Sequence, residues 1–163
     1  MFSLHHLFIT TYLADRFDEV IVVPCYKHPF NKELIEFSHR HKMCHLALSS
    51  LFSIFSVTVS GVERDLGGKS ITARTVEYFK NFSPTADLSF AVGKDAFADF
   101  DKWEGREKLL SLAEPFIVDK DSLFPNIHST YIRELLKEGR DDIAMKYLPR
   151  EVYKYINENK LYR

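Results

Sequence analysis

Four short apolar runs, each followed by a longer stretch with helical spacing, constrain the fold of this chain more than any other feature. They lie at Glu19–Pro24, Phe55–Val59, Leu88–Val92 and Pro115–Val118. The first run, EVIVVP, is rich in β-branched residues and does not alternate, which is typical of a strand covered on both faces. Strands that alternate with helices predict a parallel sheet with helices on both faces, so we expect an α/β, Rossmann-like doubly wound fold.

Stretches with helical spacing of apolar residues occupy most of the remaining chain. The chain has 163 residues, which fits one domain spanning 1–163. Its closing helices, about 129–160, are expected to pack on that domain. The predicted helices are His6–Asp15, Leu34–Leu51, Thr72–Phe82, Asp95–Phe100, Gly105–Leu112, Ser129–Lys137, Asp141–Tyr147 and Arg150–Asn159.

Charge and cysteine content exclude several classes of partner. The formal net charge is −1, so no global positive field favours nucleic acid, and none is expected as a partner. Cys25 and Cys44 lack metal-binding or disulfide spacing, which predicts a reducing, cytoplasmic location. The opening residues, Met1–Leu13, lack a cationic start and contain polar residues, so we expect neither a leader nor a membrane contact.

Ligands of open parallel sheets bind outside the carboxyl ends of the strands, which directs attention to Gly93 and Asp95. Gly93 ends the third run, and its missing side chain lets a ligand approach the backbone. The carboxylate of Asp95 suits the hydroxyls of a ribose, although it would serve equally as a helix cap. Trp103 would either stack on an aromatic substrate or pack in the core.

The segment IHSTYIRELL, from Ile127 to Leu136, predicts an anion site at a helix start. Ser129 or Thr130 would cap the helix and leave its first N–H groups facing solvent. Arg133 follows one turn later on the same side as Ser129. A hydroxyl, free backbone donors and a guanidinium together suit phosphate, although a capped surface helix with an arginine has the same sequence.

Two further polar segments follow the first two strands. Ser70, Thr72 and Thr75 lie near a helix start after a Gly-Gly turn. Their hydroxyls would cap the helix or contact a small polar ligand, and capping is the preferred interpretation. A cationic patch of Lys27, His28 and Lys32 would accept a substrate phosphate or remain solvated surface. His5 and His6 are adjacent in sequence and so do not share a helix face, and no metal site is predicted from them.

Taken in order, these segments resemble the bacterial nicotinate-nucleotide adenylyltransferase family, in the HxGH nucleotidyltransferase superfamily, over about His6 to Tyr162. The closing sequence LPREVYKYINENKLY also resembles the end of that family. The matching motifs are VVP followed by the basic loop Lys27–Lys32, R-x-x-M at Arg40 and Met43, Ser70, Thr72 and Thr75, Gly93, Asp95, Phe100 and Trp103, and Ser129, Thr130 and Arg133.

The resemblance implies adenylyl transfer from ATP to nicotinate mononucleotide, with Mg²⁺, giving nicotinate adenine dinucleotide and pyrophosphate in NAD biosynthesis. It implies that Ser129, Thr130 and Arg133 hold the ATP phosphates and that Gly93 and Asp95 hold the adenosine ribose. On the acceptor side, it implies roles for Lys32, Thr72 and Trp103. His6 aligns with the second histidine of the HxGH motif and would contact the α-phosphate as the catalytic residue.

The chain departs from the family pattern at its front. Ser3 stands where the first histidine belongs and His5 where the glycine belongs, and the usual first, central strand with its glycine-rich loop is absent from this chain. We expect lower activity, because each missing donor costs about two to three orders of magnitude in rate. We expect that the chain is an N-terminally truncated member of the family, through a mis-set start or as a fragment. The alternative is that a segment of a second copy fills the gap by strand swapping in a homo-oligomer. Arg74 stands where the family has an acid.

Two alternative functions fit the same motifs. One is a nucleotidyltransferase for another small phosphate, of the phosphopantetheine type. The other is a nucleotide-binding remnant without catalysis. The sequence leaves open whether the acceptor carries nicotinate or nicotinamide.

Overall fold

The computed structural model describes residues 1–30, 32–118 and 128–163, and its strands pair as the sequence predicts. Strand β1, Val20–Val22, pairs in parallel with β2, Val57–Val59. Strand β3, Ser89–Gly93, pairs in parallel with β4, Glu114–Val118. The described residues therefore form two parallel two-stranded sheets within an α/β, Rossmann-like fold.

Helices occupy the intervals between the strands. The helices Thr72–Phe82 and Ser129–Lys137 have the predicted bounds. The other predicted helices begin or end one to three residues away from their predicted bounds, and the one predicted over 141–147 differs in type. The helices are α1 (Leu4–Ala14), α2 (Phe37–Leu48), α3 (Val62–Leu66), α4 (Thr72–Phe82), α5 (Lys94–Ala98), α6 (Arg106–Leu112), α7 (Ser129–Lys137), α8 (Asp141–Ala144) and α9 (Arg150–Glu158).

Two local features differ from the prediction. The short helix α3 was not predicted, because five residues after a strand carry too little periodicity to distinguish helix from turn. The predicted helix 141–147 is α-helical only to Ala144 and continues as a 3₁₀ turn, Met145–Tyr147. Such tightening is common where a helix ends before a proline, here Pro149.

The chain divides into two compact units. Unit 1 comprises Met1–Pro24, Leu34–Gly61 and, of the described residues, 128–163. Unit 2 comprises the described residues 25–30, 32–33 and 62–118. The prediction of one domain over 1–163, and that of a missing central strand, stay predictions. Along the described parts of the chain, no helix is both long and apolar enough to cross a membrane.

Unit 1 has its core between helices α2, α7 and α9. Met43 and Leu48 of α2 and Val152 and Ile156 of α9 are fully buried. Helix α7 contributes three buried side chains at the three- and four-residue spacing of one helix face: Ile132, Leu135 and Leu136. Burial of each large side chain stabilises the unit by about 1.5–3 kcal/mol, so the core fixes the rotation of α7.

The end of the chain closes unit 1 through Arg163. Its guanidinium donates two hydrogen bonds of 2.7 Å to the Asp141 carboxylate at the start of α8 and one of 3.3 Å to the Leu136 carbonyl at the end of α7. Hydrogen bonding by Arg163 holds the pKa of Asp141 below its usual value. Burial raises the pKa of the neighbouring Tyr162 to about 12, so this phenol stays protonated.

Cys44 lies in the unit 1 core. Its side chain is buried, and burial raises the pKa of its thiol to about 11. Since only the thiolate is a good nucleophile, this thiol is inert at neutral pH and behaves as a small apolar side chain.

Unit 2 has a smaller core in which aromatic rings predominate. Phe90 of β3 stacks with Phe100 at a centroid distance of 5.8 Å, and Phe97 stacks with Phe100 at 5.1 Å. Helix α4 contributes Ala73 and Val76, and α6 contributes Leu109; each of these side chains is buried. The contacts place the end of β3 and the start of α4 on one rigid base.

Gly105, at the start of α6, lies close to a side chain of α4. Its φ is +74°, and a Cβ there would lie 2.9 Å from the Cβ of Ala73. Gly67 also has a positive φ, +64°, but a Cβ there would meet nothing within 4 Å. Comparing the same substitution at Gly105 and at Gly67 therefore separates the free-energy cost of a left-handed backbone from that of a steric clash.

We predict that Gly105→Ala destabilises the protein more than Gly67→Ala does. Both substitutions cost about 1–2 kcal/mol for a left-handed alanine, and Gly105→Ala adds about 1–3 kcal/mol for the clash with Ala73. Urea unfolding of the two variants measures the difference. Equal losses would show that α4 and α6 separate without cost.

Candidate functional site

His6 lies in the first turn of α1, in unit 1. The helix begins at Leu4 and not at His6, which makes Ser3 its N-cap and His6 its third residue. The Oγ of Ser3 is 2.8 Å from Nδ1 of His6, and the backbone N–H of Ser3 donates to the same nitrogen at 3.2 Å. The Thr10 hydroxyl donates to the carbonyl of His6 at 2.8 Å. The imidazole is thus anchored through one ring nitrogen.

Ser129, Thr130 and Arg133 lie in the first half of α7, also in unit 1. The prediction that Ser129 or Thr130 caps the helix was wrong, because the extended cap residue is His128, with φ −76° and ψ 137°, and no side chain caps it. The two hydroxyls instead belong to the first turn. Arg133 donates to Oγ1 of Thr130 at 2.9 Å, which holds its guanidinium near the helix start. Ile127, the first residue of the predicted segment, lies outside the described residues.

Gly93 and Asp95 lie at the carboxyl end of β3, in unit 2, as predicted. Gly93 ends the strand and is the cap residue of α5, so the alternative that Asp95 caps this helix was wrong. Asp95 is exposed in the first turn of α5. Trp103 is half-buried, and its ring packs on Phe100 at 5.4 Å and on Phe90 at 6.4 Å, which the core interpretation anticipated.

The loop that follows β1 is held to unit 2 through Ser70 and Glu63. The Tyr26 backbone N–H donates to Oγ of Ser70 at 2.7 Å and to Oε2 of Glu63 at 3.0 Å. The Lys27 N–H donates to Oγ of Ser70 at 3.2 Å, and the Lys27 carbonyl accepts from the Ser70 N–H at 2.8 Å. These bonds fix the backbone at the start of the cationic patch.

The capping interpretation of Ser70, Thr72 and Thr75 was wrong. The cap residue of α4 is Ile71, and no side chain caps this helix. Ser70 binds the loop, and the Thr75 hydroxyl, which is buried, donates to Oε1 of Glu63 at 3.1 Å. Thr72 is half-buried as the first residue of α4. Glu63 was missed, because its partners are 12 and 37 residues away in sequence.

Arg74 forms hydrogen bonds with backbone carbonyls. Its guanidinium donates to the carbonyls of Leu66 at 2.9 Å and Gly67 at 3.1 Å. These carbonyls end α3 and enter the Gly-Gly turn, so Arg74 satisfies acceptors that the helix leaves without internal partners. The side chain that departs from the family pattern is therefore directed at the turn.

The cationic patch carries two lysines and a neutral histidine. Lys27 and Lys32 are exposed, and Asn31 between them lies outside the described residues. The pKa of His28 is lowered, first by burial and second by the charge of Lys32. Its Nδ1 accepts from the Phe30 N–H at 3.2 Å, so the ring acts as an acceptor in the loop.

The predicted site residues divide between the two units. Unit 1 carries His6, Ser129, Thr130 and Arg133. Phe2 and Ile132, which are near them in sequence, both belong to the buried apolar cluster of this unit. Unit 2 carries Lys32, Thr72, Gly93, Asp95 and Trp103. Within the described ranges, no group of three or more histidine, cysteine or acidic residues is placed to hold a metal ion.

Comparisons with known proteins show which sequences this chain is similar to. Residues 1–135 match the family model described as cytidylyltransferase-like. A protein of Anaeromyxobacter dehalogenans (strain 2CP-C), named as a nicotinate-nucleotide adenylyltransferase, is 33% identical and covers 89% of this chain and 81% of its own length. A protein of Tropheryma whipplei (strain Twist) with the same name is 32% identical, covering 97% and 92%.

Solved structures share the fold. A Plasmodium falciparum nicotinic acid mononucleotide adenylyltransferase, complexed with NaAD, superposes with a TM-score of 0.82 at 20% identity, covering 99% of this chain and 92% of that one. A Vibrio parahaemolyticus protein named as a nicotinate-nucleotide adenylyltransferase gives a TM-score of 0.75 at 25% identity, covering 93% and 88%.

We predict that Lys32→Ala raises the pKa of His28 only partly toward its ordinary value. Burial is the larger cause of the lowered pKa and remains in the variant, while the Coulombic cause disappears. NMR titration of the His28 ring measures the pKa. Lys27→Ala is the control, since the pKa of His28 owes nothing to Lys27; a larger change in that variant would contradict the assignment.

We predict that Ser70→Ala and Glu63→Gln loosen the loop at Tyr26. Ser70→Ala removes one acceptor of the Tyr26 N–H, and Glu63→Gln leaves a single side-chain oxygen for the donors of Tyr26 and Thr75. A net hydrogen bond of about 1 kcal/mol corresponds to about fivefold faster amide exchange. Hydrogen exchange of the Tyr26 and Lys27 amides checks this. Asp65→Asn is the matched control, because Asp65 is an exposed acid that pairs with its neighbour Arg64. Unchanged exchange in Ser70→Ala would show that other contacts hold the loop.

Proposed function

Since the chain belongs to the nicotinate-nucleotide adenylyltransferase family, within the cytidylyltransferase-like proteins, we propose that it transfers AMP from ATP to nicotinate mononucleotide. The product, nicotinate adenine dinucleotide, belongs to NAD biosynthesis. The observation that carries the proposal is the relative of the same name that is 33% identical over 89% of this chain. The neighbour solved with NaAD supports it, because its ligand is the product of this reaction.

The reaction exchanges one phosphoanhydride bond for another. A phosphate oxygen of nicotinate mononucleotide attacks the α-phosphorus of ATP, and a new P–O bond forms in line with the bond that breaks. The bond between the α-phosphorus and the bridging oxygen breaks, and pyrophosphate leaves with the electron pair. Such transfer needs positioning and charge stabilisation, and no covalent bond to the protein.

The triphosphate is assigned to unit 1. The N–H groups of the first turn of α7 and the hydroxyls of Ser129 and Thr130 are donors that suit phosphate oxygens. The guanidinium of Arg133 adds a fixed positive charge, and its bond to Thr130 supports this placement because it limits the orientation of the side chain. His6 is assigned to the α-phosphate, where charge develops as the leaving group departs.

The adenosine ribose and the acceptor, nicotinate mononucleotide, are assigned to unit 2. Gly93 lets a ligand approach the backbone at the end of β3, and the exposed Asp95 next to it would accept bonds from the adenosine ribose. Lys32 lies in the cationic patch and would bind the acceptor phosphate. Thr72 and the ring of Trp103 would border the nicotinate.

A divalent metal belongs to this type of nucleotidyltransferase. We propose that this metal is Mg²⁺ and that it binds together with ATP, because Mg²⁺ is commonly held by substrate phosphates and water. Among the described residues, no group of three or more histidine, cysteine or acidic side chains is placed to hold a resident ion. We further propose one functional domain over 1–163, a cytoplasmic location and assembly as a homo-oligomer.

We predict that the protein forms nicotinate adenine dinucleotide from ATP and nicotinate mononucleotide, and that Arg133→Ala lowers kcat/KM for ATP by about 100-fold. The charge and its placement by Thr130 are both lost. Product formation is measured by chromatography with Mg²⁺ present. Arg150→Ala, an exposed arginine at the start of α9, is the control and keeps full activity.

Two results would contradict the proposal. Turnover with nicotinamide mononucleotide or phosphopantetheine, but not with nicotinate mononucleotide, would replace the acceptor. If the protein binds ATP but forms no product from any of the three acceptors, it is a nucleotide-binding protein and not an enzyme.

A further inference from the structure

We propose that Ser3 is a positioning residue that holds the His6 imidazole in the tautomer with its proton on Nε2. The inference about the tautomer stands on contacts within unit 1. Its consequence for catalysis rests on the proposed function, in which His6 faces the α-phosphate.

Ser3 and His6 form a capping box at the start of α1. Ser3 is the N-cap, with φ −108° and ψ 171°, and is 1% exposed. Its backbone N–H and its hydroxyl both face Nδ1 of His6, at 3.2 Å and 2.8 Å. In a capping box the residue at the third helical position returns a hydrogen bond to the cap backbone, and here an imidazole takes the place of the usual Glu or Gln.

The backbone contact decides the tautomer. An amide N–H can only donate, so Nδ1 must present its lone pair to Ser3. A neutral imidazole carries one proton, which then resides on Nε2. The Ser3 hydroxyl can donate or accept and therefore adapts to this arrangement. The opposite tautomer would point two N–H groups at each other and leave the buried amide of Ser3 without its acceptor.

Neighbouring contacts limit the orientation of the ring as well. The Phe2 ring, which is buried, lies 5.2 Å from the His6 ring between centroids. The His5 ring meets the His6 ring edge to face at 5.9 Å. The His6 carbonyl is held by Thr10 one turn later. The position of Nε2 is therefore defined by the start of α1 before any nucleotide binds.

This tautomer gives His6 a hydrogen-bond donor that does not depend on a positive charge. A neutral imidazole with Nε2–H can donate to an α-phosphate oxygen, whereas the opposite tautomer presents a lone pair that repels it. A lost donor at a developing charge lowers the rate about 100- to 1000-fold. Ser3 thus contributes where the related proteins carry the first histidine of their motif.

Two substitutions of Ser3 separate this role from helix capping. Ser3→Thr keeps a hydroxyl and a good cap. Ser3→Asp also keeps a good cap, because Asp and Ser are comparable N-cap residues, but its carboxylate only accepts. Beside Nδ1 that carboxylate favours Nδ1–H, which is the tautomer that Ser3 disfavours. Thermal unfolding of the two variants shows whether α1 remains equally stable in both.

The test is ¹⁵N NMR of the full chain with labelled histidine, without nucleotide, at about pH 9, where imidazoles are neutral. His6→Gln identifies the His6 signals. We expect Nε2–H in the unchanged protein and in Ser3→Thr, and Nδ1–H in Ser3→Asp. At the same pH, kcat should be retained in Ser3→Thr and fall at least tenfold in Ser3→Asp, with a smaller change in KM for ATP.

Failure of this inference and failure of the proposed function give different results. Nδ1–H in the unchanged protein would overturn the inference whatever the activity. Nε2–H in all three proteins would overturn the part assigned to the Ser3 side chain, because the Ser3 backbone N–H would then set the tautomer alone. The expected tautomers with equal kcat in all three proteins would overturn its catalytic consequence. The expected tautomers with no dinucleotide product from any protein would support the assignment of Ser3 and contradict the proposed function.

Discussion

Burial of one face of α7 is the constraint on which unit 1 depends. Ile132, Leu135 and Leu136 are each at most 1% exposed, and together they form part of the core shared with α2 and α9. If the helix rotated, these three side chains would be exposed to water, and each would lose about 1.5–3 kcal/mol of stabilisation. The polar residues of its first turn are therefore presented in one direction. The placement of Arg133 is thus a consequence of core packing.

Unit 2 obtains its rigidity from a different kind of contact. Ser70 and Glu63 bind backbone amides of a loop that precedes them by 37 to 44 residues, and Glu63 also receives the Thr75 hydroxyl. One carboxylate thereby connects α3, α4 and the cationic patch. Because the bonds end on backbone groups, they define the path of the loop and leave the Lys27 side chain exposed.

Periodicity predicted most of the fold. The four strands, the parallel pairing and the bounds of α4 and α7 follow from apolar spacing and short connections, which are local properties. The caps could not be predicted in the same way. Ser70 and Thr75 look like capping residues in sequence, but partners far along the chain compete for their hydroxyls. Ser129 looks like a cap because a one-residue shift of the helix start is invisible to periodicity.

The candidate site was predicted through ordered motifs more than through any one residue. The structure adds the partners, such as Thr130 for Arg133 and Ser3 for His6, that single-residue reasoning did not provide. Glu63 had no sequence signal of its own, since an acid before a Gly-Gly turn is ordinary. Arg74 shows the converse case: it departs from the family pattern in sequence, and its hydrogen bonds end on the turn before α4.

The order in which the two units use the chain affects how the protein folds during synthesis. Unit 1 takes its first residues before position 25 and its last helices after position 128, with unit 2 made between them. Roughly 100 residues separate α2 from α9, and a ribosome adds about 5–20 residues each second. The apolar face of α2 is therefore synthesised roughly 5–20 s before α9, against which it packs. The core of unit 2 is complete as soon as β4 emerges. Nascent chains of this protein will accordingly expose Met43 and Leu48 to chaperones after unit 2 has already folded.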